Sequence, residues 1–180
     1  MRRATSTPRC GFSYGGLLAL LAAARRPRAI RSLTVIEPPV FAVAQGHPAV
    51  APIVAALADL YAAAPGLTSE SFSLAFGRMW GDTGTDLPVL SPERRRAIAR
   101  MMAERNPATV VVPLVTIHDA PFPKLVLSGG WADAFEALCD TLARRIDGER
   151  VVVPGAGHGV RDPAITARVA ALLDRAAFPT

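Results

Sequence analysis

Apolar positions along the chain change their spacing several times, and each change marks an element. Leu17, Leu18, Leu20 and Leu21 lie within residues 14–26 at helical spacing, and Pro27 stands just past them. Leu33–Glu37 (LTVIE) is a short β-branched run stopped by Pro38 and Pro39, which predicts a buried strand. Between about 40 and 120 the texture is helical. Residues 50–64 are Ala-rich, and residues 69–80 carry Phe72, Phe76, Met79 and Trp80 on one face. Gly81–Pro88 reads as a loop, and Ser91 followed by Pro92 predicts the N-terminus of a third helix that includes Arg94–Arg105. Strand texture returns at Lys124–Ser128 (KLVLS) and again at Arg150–Val153 (RVVV). Helices are expected after each, at 133–145 and 163–176. The first ten residues are polar, carry Pro8 and do not read as a buried strand.

Strands alternating with helices at both ends predict an α/β fold with a parallel sheet. The expected layout is a core of residues 1–39 and 120–180 with a helical cap of residues 40–119 inserted between strands. No internal repeat or low-complexity segment interrupts this plan.

Composition narrows the class. With 180 residues, 51% hydrophobic and 19% charged, and a mean hydropathy of +0.28, the chain has the material for a packed core and is not a disordered one. No apolar run approaches the ~18 residues of a membrane span. The net charge is +5 and the isoelectric point about 10.2, but Lys124 is the only lysine. The arginines are scattered, with one triple at 94–96 and few aromatics beside them, so no nucleic-acid surface is read. Cys10 and Cys139 are far apart and form no metal or disulfide pattern, which is compatible with the reducing cytoplasm. Arg2 and Arg3 ahead of the apolar run Leu17–Ala24 imitate an export signal. The glycine-rich turn just before that run favours a helix of the fold instead.

The chemistry concentrates in three places. Gly11-Phe12-Ser13-Tyr14-Gly15 is a GxSxG pentapeptide immediately ahead of a helix. Such a turn holds its serine in a strained backbone conformation, so the residues two positions away are expected to lack side chains. It also aims the first amides of the helix at the reaction centre. Gly16 is expected to let that helix pack closely on the sheet. His158 lies in Gly155-Ala156-Gly157-His158-Gly159 directly after RVVV, where open α/β sheets place function. Asp133 follows KLVLS, and Glu37 ends LTVIE. Either carboxylate could orient His158. Asp133 is preferred, although it also suits a helix N-cap, and Glu37 is the alternative.

Taken together, these segments resemble the α/β-hydrolase superfamily over about residues 11–176. GFSYGGLLALLAAARRP is similar to its nucleophile elbow, LTVIEPP to the next strand, PFPKLVLSGGWAD to its acid-bearing strand and turn, and VVVPGAGHGV to its histidine loop. The order Ser13, Asp133, His158 is that fold's order of nucleophile, acid and base. The resemblance implies a serine hydrolase acting on an ester, thioester or similar acyl bond, with the Tyr14 amide as one oxyanion donor and no metal or organic cofactor. Phe12, Trp80 and Trp131 are the expected substrate-binding residues, and Leu60, Tyr61, Phe72, Phe76 and Met79 suggest an apolar acyl or alcohol part. At ~30 residues per strand–helix unit, roughly 80–100 residues should precede the elbow, whereas twelve do. The expectation is therefore the C-terminal part of such a hydrolase, without the loop that carries a second oxyanion donor. An exposed sheet edge is then expected, able to pair with another chain.

Overall fold

In the computed structural model, which describes residues 6–158 and 163–177, four parallel strands form one sheet in the order β1-β2-β3-β4. These are β1 (Thr7–Phe12), β2 (Ile30–Ile36), β3 (Lys124–Ser128) and β4 (Glu149–Val152). The first strand departs from the sequence reading. Thr7–Phe12 pairs with β2 despite Pro8, and the pairing shifts register between Thr7 and Pro8. A proline without an N–H is tolerated there because β1 lies at the edge of the sheet, and Thr7, Arg9 and Cys10 are exposed. It is a strand, but not a buried one.

Helix α1 (Tyr14–Arg25) follows β1 directly, and α6 (Asp133–Ile146) and α7 (Pro163–Ala177) occupy their expected places. Strand side chains alternate between the two faces. Leu33, Val35 and Val126 meet Leu17 and Leu20 of α1 and Cys139, Leu142 and Ile146 of α6. Ile36, Leu125 and Leu127 point the other way, against Ile165 and Leu172 of α7. Lys124 is buried, and its ammonium donates to the carbonyls of His118 and Ala120. Both cysteines are free. Cys139 is buried, which pushes its thiol up to about 12.

Between β2 and β3 come α2 (Ala51–Ala63), α3 (Ser69–Met79), α4 (Pro92–Ala103) and the short α5 (Leu114–His118). The Ser91 hydroxyl accepts from the Arg94 amide at 3.2 Å, and Thr68 caps α3 through the Ser71 amide at 3.1 Å. Helices α3 and α4 are joined at the surface by Glu70 and Arg95, 2.6 Å apart. Leu60, Phe72 and Ile98 form the interior of this helical group. Phe41, Val50 and Leu57 instead pack on Ala134, Phe135 and Leu138 of α6, tying the insertion to the sheet layer. Val110, Val112, Leu114 and Ile117 fall in the segment the sequence reading places in the cap, yet they join the core beneath α1 and α6. Their spacing is too irregular to announce this, and α5 has only five residues.

Candidate active site

The loops at the carboxyl ends of all four strands converge. Ser13 follows β1, Glu37 follows β2, Gly129 follows β3, and His158 lies in the loop after β4. In a parallel sheet these ends share one edge, so residues far apart in sequence meet there.

Ser13 has φ 50° and ψ −129°, a conformation that L-residues rarely adopt. Its amide donates to the Ile36 carbonyl at 2.9 Å, and its carbonyl accepts from Gly16 at 2.8 Å, so strand pairing fixes one side of the turn and the helix the other. Tyr14 is the first residue of α1, where an amide has no partner within the helix. A Cβ at Gly11 would lie 2.3 Å from the Gly15 carbonyl oxygen, and one at Gly16 would meet the Gly11 oxygen and Pro38 Cβ, each at 3.1 Å. The steric demand expected at Gly11 and Gly16 is therefore real. At Gly15 it is absent, because that position opens onto free space.

His158 stands between Ser13 and Glu37. Its Nε2 is 3.3 Å from Ser13 Oγ, and its Nδ1 is hydrogen-bonded to Glu37 Oε2. The imidazole is walled by the rings of Phe12, Phe135 and Trp131, with centroids 4.7, 5.1 and 5.6 Å away. Arg2, Arg3 and Gly159, which figure in the sequence reading, lie outside the described residues.

The structure sets Glu37, not Asp133, against the histidine. Glu37 is fully buried with φ 46°. Its Oε1 accepts from the Gly129 amide at 2.8 Å, and both oxygens lie 2.9 Å from Trp131 Nε1. With His158, three N–H groups surround a carboxylate that has no access to water, which is what a buried charge requires. Asp133 is exposed on the first turn of α6, where Ala132 is the cap residue and no side chain caps the helix. It makes no hydrogen bond or ion pair with His158. Its charge suits a helix N-terminus, which explains its position without a role at the histidine.

The Gly129–Trp131 turn is itself held. Glu136 accepts from Ser128 Oγ at 2.7 Å and from the Gly130 amide at 3.0 Å, and Arg150 of β4 donates to it at 2.5 Å. Neither this clamp nor the use of the Trp131 indole by Glu37 is visible in the sequence. The only signal is the glycine pair Gly129-Gly130, which marks a close backbone approach.

A cavity of about 250 Å³ opens beside Ser13 and His158, lined among others by Tyr61, Phe76, Trp80, Trp131 and Phe135. Of the expected substrate-binding residues, Trp80 and Trp131 line it, while Phe12 packs against His158 and the β2–β3 core instead. Tyr61 and Phe76 also face the cavity, whereas Leu60 and Phe72 are interior to the helical group. No group of side chains able to hold a metal ion occurs among the described residues.

Residues 10–160 match the family model of the alpha/beta hydrolase fold, and the chain belongs to that family. No curated protein matches it. Solved structures do. MenH from S. aureus aligns with a TM-score of 0.59 at 15% identity over 94% of this chain and 68% of its own. Naproxen esterase from Bacillus subtilis gives 0.56 at 24% identity, over 93% of this chain and 60% of its own. Proline iminopeptidase from Mycobacterium smegmatis gives 0.54 at 21% identity, over 93% and 64%. At these identities the likeness is one of fold. The chain spans about three fifths of the length of several such structures, 60% for the esterase.

Proposed function

We propose that the protein is a serine hydrolase that cleaves an ester, thioester or similar acyl bond, with Ser13 as nucleophile, His158 as general base and Glu37 as the acid that orients it. The observation that carries this reading is the bridge made by His158, one ring nitrogen at Ser13 Oγ and the other on a fully buried carboxylate. Glu37 replaces Asp133 in the role the sequence reading preferred for the latter.

Ser13 Oγ attacks the acyl carbonyl while His158 Nε2 takes the hydroxyl proton. The imidazolium so formed carries its second proton on Nδ1, facing Glu37, whose charge stabilises it. The carbonyl oxygen becomes an oxyanion at the N-terminus of α1, where the Tyr14 amide donates to it. Collapse expels the alcohol or thiol leaving group, which takes the proton from Nε2 and leaves an acyl group on Ser13. Water then repeats the sequence, giving its proton to His158, and the free acid departs. Every proton is moved by a group present in the chain. The apolar cavity walls fit an apolar acyl or alcohol part, and the two free thiols fit a cytoplasmic setting.

A fluorophosphonate probe tests the reading directly. Peptide mapping by mass spectrometry is expected to find the adduct on Ser13. A folded protein that stays unlabelled, or that is labelled at another serine, overturns it.

The edge strand supports a second reading, in which the fold also serves as an interaction module. Among the described residues β1 pairs on one side only, and Thr7, Arg9 and Cys10 are exposed. This reading expects concentration-dependent association in sedimentation velocity experiments; a monodisperse monomer at all concentrations argues against it.

No helix of the described residues is long and apolar enough to cross a membrane.

A further inference from the structure

The cavity beside Ser13 has a polarity that an apolar substrate does not use. The protein carries 20 lysines and arginines against 15 acidic residues, yet none of the lining residues is lysine or arginine, and one, Glu104, is a carboxylate. Glu104 closes the C-terminus of α4, its amide donating to the Arg100 and Met101 carbonyls. Among the described residues its carboxyl group takes part in no hydrogen bond or ion pair. Burial holds its pKa above the usual carboxylate value. The neighbouring phenols are donors to the backbone. Tyr61 Oη donates to the Met101 carbonyl at 3.3 Å and Tyr14 Oη to the Arg105 carbonyl at 3.1 Å. Burial, and after it the Glu104 charge, raises the pKa of both phenols, bringing Tyr61 to about 12. The end of a helix adds partial negative charge of its own. Phe76, Trp80 and Trp131 line the same cavity, and aromatic rings attract a cation.

We infer that Glu104 and the aromatic wall form a subsite for a cationic, ammonium-bearing part of the substrate. The inference rests on the hydrolase reading only in taking this cavity as the substrate site. A cation here would gain the carboxylate and the ring faces at once, and a neutral group of the same shape would gain the rings alone.

The chain contains two tryptophans, Trp80 and Trp131, and both line the cavity, so their fluorescence reports occupancy without any turnover. Titration with choline, whose trimethylammonium group is the probe, is expected to give a saturable change. Its neutral isostere 3,3-dimethylbutan-1-ol is expected to give none in the same range. Glu104→Gln is expected to weaken choline binding by about tenfold or more, the scale of one charge-assisted contact. No saturable change with choline, or an equal response to the isostere, overturns the inference, as does undiminished choline binding by a folded Glu104→Gln protein. Failure of Ser13 to label with the fluorophosphonate removes the hydrolase reading and leaves the fluorescence result standing; the converse also holds.

Discussion

Glu37→Gln is expected to lower the turnover of a chromogenic ester by about 10⁴-fold, the scale of removing the carboxylate behind a catalytic histidine. The side chain keeps its shape, so the loss is electrostatic. A carboxylate at this position accepts from His158 Nδ1, the Gly129 amide and the Trp131 indole. An amide has one accepting oxygen, and its N–H groups face donors. The imidazole then either takes the wrong tautomer or loses the charge that stabilises its protonated form. Asp133→Asn is expected to leave turnover unchanged and to cost at most about 0.3–1 kcal/mol of stability, through the lost interaction with the α6 N-terminus. The paired assay discriminates sharply. A loss in Asp133→Asn alone would return the acid's role to Asp133, and equal losses would overturn its exclusion.

The second large effect is steric. A Cβ at Gly129 would lie 2.0 Å from the Gly157 carbonyl oxygen, an impossible separation, and that oxygen belongs to backbone that cannot swing aside as a side chain could. Gly129→Ala must push the β3 turn away from the histidine loop. The cost of such overpacking is about 1–3 kcal/mol, read as a Tm lowered by about 2–4 °C per kcal/mol at this size. Activity should fall further than stability. The displaced amide is the one that holds Glu37, and the displaced loop carries His158, so a shift of about 1 Å at the relay costs ~10²-fold or more. A variant that melts lower but retains full turnover would show that the close approach matters to folding alone. Gly15→Ala is the matched control from the elbow: nothing lies within 4 Å of its Cβ, and no comparable loss is expected.

Both predictions concern loops, and loops are where the sequence was least legible. The helices and the strands β2, β3 and β4 follow from periodicity and punctuation: apolar spacing set α1, Ser91-Pro92 started α4, and Pro38-Pro39 stopped β2. β1 was missed as an element because its residues are those of an exposed edge, polar and interrupted by Pro8, and only pairing with β2 makes Thr7–Phe12 a strand. The packing of residues 110–117 under α1 and α6 was likewise hidden, since no period marks a short irregular segment as core.

Ser13 and His158 are the candidates that local sequence makes legible. A strained turn needs its glycine at position 11, a helix must begin at once, and a histidine in a glycine loop after a strand stands where open α/β sheets place function. The carboxylate is different. Glu37 and Asp133 both follow strands, and both carry the right group, so sequence order and residue type cannot separate them. The choice depends on where each side chain points, how dry its surroundings are and which donors surround it, all of which arise only when four strand ends are brought to one edge. There the Gly129 amide, the Trp131 indole and His158 close around Glu37, while Asp133 remains in water on the first turn of its helix.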